Sequence, residues 1–376
     1  MSALAQLEVV AAAQLDASVG APFDADKSAA FEGKLVEIMN GGALCLMISL
    51  GHRSGLFDTL AELPPSGVTE IALRAKLNER YVREWLGAMT VGGIVEHDAA
   101  AETYWLPAEH AAYVTRAAAP ENLAVFAQYV AIMGSVEDDI LACFRNGGGV
   151  PYERYTRFHE VMAEDSGQSV LPALTEHILP LVPGLLARLE DGIRVLDVGC
   201  GRGRALHLMA QTFPNSTFVG YDLSAEAIAY ANQQAAKDGL TNLTFEARDL
   251  SDFDRTAEAG VFDLVTTFDA VHDQAKPRAV VMGIRRSLAP GGVYLCQDIN
   301  GSSHHHGNLD HPIGALLYTI SCMHCMTVSL AQGGDGLGAM WGREVAEQLF
   351  QECGFGSVEV NELPHDVQNC YYVCRP

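Results

Sequence analysis

From Val195 onward, short apolar runs alternate with longer amphipathic stretches, a rhythm that predicts strands separated by helices. The runs are Val195-Leu196-Asp197-Val198, Thr217-Phe218-Val219-Gly220-Tyr221, Leu243-Thr244-Phe245-Glu246-Ala247-Arg248-Asp249-Leu250, Phe262-Asp263-Leu264-Val265-Thr266-Thr267-Phe268-Asp269 and Val293-Tyr294-Leu295-Cys296-Gln297-Asp298. Each is too short for a helix, and strands covered on both faces read as such near-continuous apolar segments. Strands alternating with helices build a doubly wound sheet, so the second half predicts an α/β domain.

The first half has another rhythm. Residues 27 to 60 carry an apolar helical pattern through Phe31, Leu35, Ile38, Met39, Leu44, Leu46, Met47 and Leu50. Thr69 is placed to cap a short helix ending near Asn78, and a second helix is expected from Glu79 to Ala88 before Gly92-Gly93. Ile94-Val95-Glu96-His97 and Tyr104-Trp105-Leu106 read as two short strands around a polar tip. Helix, helix, strand, tip, strand is a winged-helix arrangement. Residues 120 to about 190 read as helical throughout, interrupted at Gly147-Gly148-Gly149 and Pro151. The expected divisions are a winged-helix domain over 1–115, a helical linker and cap over 116–188, and the α/β domain over 189–376 with an insertion at 300–340. No internal repeat or low-complexity segment interrupts them.

The chemistry concentrates where the first run meets Gly199-Cys200-Gly201-Arg202-Gly203. Glycines there permit a tight turn and a close backbone approach to a ligand, and the following helix start offers unpaired N–H groups. Asp222 closes the second run, where an acid is placed to accept both hydroxyls of a ribose. The glycine spacing is G-x-G-x-G, whereas a dinucleotide loop has G-x-G-x-x-G. Asp197 stands just before it and would repel a pyrophosphate, yet it suits a ligand carrying an ammonium and a sulfonium. On these residues the C-terminal half resembles the class I S-adenosylmethionine-dependent methyltransferases. The resemblance implies a Rossmann-like, seven-stranded sheet and S-adenosyl-L-methionine as cofactor. It implies that Asp197, Gly199, Gly201 and Gly203 hold the methionine end, that Asp222 holds the ribose, and that Asp249 with Leu250 flanks the adenine. Leu223 and Phe268, the latter in the fourth run, complete the expected cofactor set.

The whole layout is similar to small-molecule O-methyltransferases in which a winged-helix domain precedes the catalytic one, and, more loosely, to a bacterial and mycobacterial group of unassigned substrate. That resemblance implies a homodimer built by the N-terminal part, which closes over the partner's substrate site. Val271-His272-Asp273 lies past the fourth run, the edge where open α/β sheets bind ligands. His272 and Asp273 match the His-Asp pair of the plant-type enzymes, in which the histidine is the catalytic base. Gln274-Ala275-Lys276 departs from that family's continuation, which leaves two roles open for His272: a base, oriented by Asp273 or Asp298, or a residue that packs on the cofactor. Oxygen is the first choice of methyl acceptor, with sulfur and nitrogen open.

The stretch from Asn300 to Met340 exceeds ordinary loop lengths and is expected to form a lid ending in a flexible loop, Gly333 to Gly338. Its Cys322, His324, Cys325 and His304-His305-His306 raise zinc, or a thiol or metalloid substrate, as alternatives. Cys322 and Cys325 fall on one helix face with His324 elsewhere, so no metal site is expected. Of 376 residues, 49% are hydrophobic and 19% charged, which describes a globular chain. A net charge of −23 opposes nucleic acid and anionic membrane as partners. The winged helix still raises a DNA-binding regulator as an alternative, but the arginines of Glu79-Arg80-Tyr81-Val82-Arg83-Glu84 are offset by glutamates. No apolar run is read as long enough to span a membrane. The acidic start, with Glu8, Asp16, Asp24 and Asp26, predicts no secretory signal. Nine cysteines without regular spacing fit a reducing, cytoplasmic setting.

Overall fold

A computed structural model describes residues 22–376; Glu8 and Asp16, on which the expectation about a secretory signal partly rests, lie outside them. The strands in chain order are β1 (Glu96–Asp98), β2 (Thr103–Trp105), β3 (Arg194–Val198), β4 (Thr217–Asp222), β5 (Leu243–Ala247), β6 (Phe262–Phe268), β7 (Leu288–Ile299), β8 (Ser357–Asn361) and β9 (Asn369–Arg375). The last seven form one sheet in the order β5-β4-β3-β6-β7-β9-β8. Pairing is parallel from β5 through β7, and β9 runs antiparallel to both β7 and β8.

Alternation across the pleat explains why the strands are apolar throughout. Val195, Leu264 and Leu295 enter a core with Leu206, Met209 and Phe213 on one face. Leu196, Val265 and Cys296 enter a second core with Phe253, Ile284 and Phe350 on the other. Both faces are covered, so successive residues are apolar. From β3 the chain winds outward to β4 and β5, then returns to β6 and β7 on the other side. The crevice at the carboxyl ends of β3 and β6 is therefore the switch point where such sheets take ligands.

The N-terminal half is a winged helix with altered details. The expected 27–60 helix is two, Ala25–Ser54 and Leu56–Glu62, separated by Gly55 at φ 74°. The next helix, Val68–Ala75, is capped at Gly67 and not by Thr69. Thr69 Oγ1 instead donates to Glu79 Oε2 at 3.1 Å. Asn78 caps Glu79–Val91 by accepting from the Arg80 N–H at 3.0 Å. The first wing strand starts later than expected because the Ile94 and Val95 N–H groups close the preceding helix by donating to Met89 O. Phe57, Ile71, Leu86 and Met89 fill the small core.

Residues 120 to about 190 are not helical throughout. Helices Ala127–Gly134, Glu137–Asn146, Phe158–Ser169 and Leu185–Asp191 alternate with short turns and one π turn, Leu174–Ile178. His52 Nε2 and Gln128 Nε2 meet the two oxygens of Glu164 at 2.7 and 2.8 Å, pinning the long N-terminal helix to Phe158–Ser169. The insertion folds into a continuous helical run, Gly314–Ile320, Ser321–Cys325 and Met326–Ala331, with the middle segment a π turn. Its glycine loop is stitched down: Asp335 N donates to Ala275 O at 2.9 Å and Gly338 N to His272 O at 3.1 Å. The expectation of a flexible loop fails because these backbone bonds tie it to the segment carrying His272.

Two helices, contrary to the sequence reading, are long and apolar enough to cross a membrane by length and composition: Ala25–Ser54 and Gly314–Ala331, each holding an 18-residue stretch of mean hydropathy 1.4. The reading missed them because Glu32, Lys34 and Glu37 break up the first and polar residues such as Ser321 and His324 the second. The second packs into the protein, with His324 and Val328 fully enclosed.

Candidate active site

The glycine loop follows β3 because each glycine does something a side chain prevents. Gly199, Gly201 and Gly203 all have positive φ, at 75°, 53° and 68°. A Cβ on Gly199 would meet Ala270 at 2.5 Å, and one on Gly203 would meet the Phe245 ring at 2.3 Å. Gly201 has open space where its Cβ would be, and it lines the adjoining cavity.

That cavity is about 630 Å³. Asp197, Gly199, Gly201, Gly203, Asp222, Leu223, Asp249, Leu250 and Phe268 all line it, so the full expected cofactor set converges on one space. Asp222 is oriented by its own neighbourhood, accepting from Gly201 N at Oδ2 and Ser224 N at Oδ1, both at 2.8 Å. Asp197 is 2% exposed and accepts from Thr266 Oγ1 at 2.7 Å. Burial pushes its carboxyl up to about 7, only partly opposed by the Thr266 hydrogen bond. Among the described residues no cation pairs with it, and a buried carboxylate so placed suits a ligand that brings its own ammonium. The residues present therefore fit S-adenosylmethionine, and the open side of Gly201 leaves room for its approach.

The cap closes the other wall with Tyr152, Phe158, His159 and Met162, and the lid adds Ala331 and Gln332. His272 lies in the turn after β6, 3% exposed and outside the cavity lining. Its Nδ1 is 2.8 Å from Asp298 Oδ1, so of the two carboxylates proposed to orient it, Asp298 does so. Asp273 lines the cavity but turns away, accepting from Tyr152 Oη at 2.7 Å. Burial opposes protonation of His272, yet the Asp298 carboxylate and the contacting Cys325 thiol outweigh it and raise the imidazole well above its ordinary value. Trp341 Nε1 and the Ile299 N–H also donate to Asp298 Oδ1, at 3.0 and 2.8 Å.

Several residues in or near this wall escaped the sequence reading. Asp269 directly follows β6 at φ 56°, with burial pushing its carboxyl up to about 8. Asp165 is buried against Tyr129 Oη at 2.9 Å and pushed up to about 7 by the same cause. The place of Asp269 at a strand end was a readable signal; nothing in the sequence marked Tyr129, Tyr152 or Asp165.

The lid histidines and cysteines do not converge. His324 is fully buried, stacked on Phe158 with ring centroids 3.5 Å apart and edged by Tyr155 at 4.8 Å. Burial holds its imidazole well below the ordinary value, so it is neutral. His304, His305 and His306 are exposed. Among the described residues, the group of three whose ligand atoms lie close enough for an ion is Asp269, His272 and Asp298. In the winged helix, Arg80 and Arg83 pair with Glu84 and Glu79 of their own helix.

Comparison with known proteins finds the same two domains. Residues 42–116 match the Rv2258c-like winged HTH domain, and residues 189–353 match a methyltransferase domain. The cyclopropane-fatty-acyl-phospholipid synthase of Escherichia coli is 34% identical over 142 residues, 36% of this chain and 34% of that protein. The fatty-acid O-methyltransferase of Mycolicibacterium smegmatis is 32% identical over 108 residues, 29% of this chain and 38% of that protein. The chain thus spans little more than a third of the length of these curated relatives. In fold it is similar to human N-acetylserotonin methyltransferase, solved with S-adenosylmethionine, at a TM-score of 0.64 and 17% identity over 95% of this chain and 99% of that one. The chain combines a winged-helix domain with a class I, S-adenosylmethionine-dependent methyltransferase domain.

Proposed function

We propose that the protein transfers the methyl group of S-adenosylmethionine to a hydroxyl oxygen of a small organic acceptor. The observation that carries this reading is the buried His272–Asp298 pair at the ends of β6 and β7, beside the cofactor cavity. Bound S-adenosylmethionine supplies an electrophilic methyl group on a sulfonium. Asp197 would hold the ammonium end, Asp222 the ribose, and Asp249 and Leu250 the adenine, with Leu223 and Phe268 completing the cofactor site. His272, once deprotonated, takes the acceptor's hydroxyl proton, and Asp298 orients the ring and stabilises the imidazolium. Asp273, held by Tyr152, shapes the wall between cofactor and acceptor. The cap and lid exclude water and align the acceptor for in-line attack, where positioning does much of the work.

The domain roles follow the same reading. Residues 1–115 dimerise the protein, 116–188 cap the cavity, and 300–340 form the lid of the 189–376 domain. Along Ala25–Ser54, Phe31 is 60% exposed, Ile38 57% and Met39 65%, an apolar face of the kind a second copy covers. All nine cysteines are free, in keeping with a cytoplasmic enzyme. A DNA-reading role is disfavoured, because both arginines of the second winged-helix helix are paired within it.

A screen of small-molecule alcohols, phenols, acids, amines and thiols with methyl-labelled cofactor tests the proposal. Labelling of a hydroxylated acceptor that is lost in His272→Gln, with cofactor affinity retained, is the expected result. Labelling confined to thiols or amines, insensitive to that substitution, would overturn it.

A further inference from the structure

The ends of β6 and β7 bring together three side chains that the methyl-transfer reading uses only in part. Asp269 follows β6, His272 lies in the next turn, and Asp298 is near the end of β7. One ligand atom from each lies within 4.8 Å of the other two. Asp298 is fully buried, and its two oxygens are treated unequally. Oδ1 faces His272 Nδ1 and accepts from Ile299 N and Trp341 Nε1. Oδ2 is enclosed and has no partner at all. Asp269 Oδ1 is likewise enclosed and unpartnered. Among the described residues, the one basic group in ion-pair range of Asp269 or Asp298 is His272 itself.

We propose that Asp269, His272 and Asp298 form a binding site for a single divalent transition-metal ion. Two carboxylates and an imidazole are a mixed oxygen–nitrogen donor set, suited to Mn²⁺, Co²⁺ or Zn²⁺ rather than to ions that favour all-oxygen shells. The 2.8 Å between His272 Nδ1 and Asp298 Oδ1 is close to the ~3 Å that separates adjacent ligands each ~2.1 Å from one ion. The ion therefore takes the place of the proton shared there, and that proton is released to solvent. Trp341 Nε1 and the Ile299 N–H fix the Asp298 carboxylate, the kind of supporting contact that orients metal ligands. The site departs from the sequence expectation of no metal, which weighed only the lid's cysteines and histidines.

One consequence rests on the reading of His272 as the proton acceptor. A neutral imidazole bound through Nδ1 carries its proton at Nε2 and has no lone pair left to receive another. Ion and acceptor proton then compete for the same ring, and loading the site silences the base.

The test uses Co²⁺, whose visible absorption reports its ligands, on full-length protein with His304, His305 and His306 replaced by Ala so that the exposed run contributes nothing. Calorimetry and the Co²⁺ spectrum should show one saturable site per chain. Asp269→Asn should weaken it at least ~10-fold, a loss usual even for residues that only support metal ligands. Asp298→Asn should do the same, with thermal melting monitored because this residue is buried among structural partners. Absence of saturable binding at millimolar Co²⁺, or an affinity unchanged in Asp269→Asn, would overturn the site and leave the base reading untouched. Saturable binding with turnover undiminished would uphold the site and overturn His272 as base.

Discussion

The two ends of the cavity are built in opposite ways. The cofactor end comes from consecutive turns at the tips of β3, β4 and β5, and its key contacts are local. Asp222 is held by Gly201 N and Ser224 N, and Ala270 and the Phe245 ring leave no room for a Cβ on Gly199 and Gly203. The proposed acceptor side is assembled from distant segments, many of them packed behind the cavity lining. Asp298 meets His272 and Trp341, Tyr152 meets Asp273, Tyr129 meets Asp165, and His324 is boxed by Phe158 and Tyr155.

The sharpest test of this contrast separates turnover from cofactor affinity. His272→Ala should lower turnover by ~10²–10⁴-fold, the usual worth of a positioned base, with calorimetric cofactor affinity nearly unchanged. Asp222→Ala should do the reverse. It removes charge-assisted hydrogen bonds worth ~1.5–3 kcal/mol, so affinity should fall at least about tenfold. If both substitutions depress affinity alike, the two ends are one unit and the comparison fails.

Smaller effects come from protonation. His272 is raised well above the ordinary histidine value, so it is protonated near neutral pH and acts as a base only after losing that proton. Turnover should therefore climb as pH rises above 7, and His272→Gln should flatten the profile. Asp197 works in the other half: its carboxyl, pushed up to about 7 by burial, ionises as pH approaches that value. Cofactor affinity should rise over the same interval, and Asp197→Asn should remove the rise.

Stability should respond with the opposite sign. Burial raises Asp165 to about 7 and Asp269 to about 8, so the folded chain holds protons that the unfolded chain has released. Their stabilising effect is present below the ordinary carboxylate range and is lost as pH climbs through 7 and 8. The melting temperature should fall by several degrees between mildly acidic and mildly alkaline buffer, and Asp269→Asn should reduce the fall. The smallest effect is expected for Met39→Glu on the exposed N-terminal helix. Light scattering should show a weakened dimer with the cofactor site intact.

The five parallel strands were legible because strands buried on both faces leave continuous apolar runs, and the glycine loop because its geometry demands glycine at fixed spacing, whereas β8 and β9 were not read. Helix ends were read less well. Thr69 looked like a cap, yet Gly67 holds that place while the threonine hydroxyl reaches Glu79 across the turn. The stitched glycine loop was invisible, since its partners at Ala275 and His272 lie far away in sequence.

What the sequence determined by itself was the α/β class, the winged helix before it and the cofactor pocket, because each depends on periodicity or on residues adjacent in the chain. Only the tertiary structure decided that Asp298 and not Asp273 orients His272, that the lid's cysteines and histidines stay apart, and that Asp269 joins His272 and Asp298. Those outcomes depend on which strand ends lie side by side and how deeply each carboxylate is buried, and the linear order of residues carries neither.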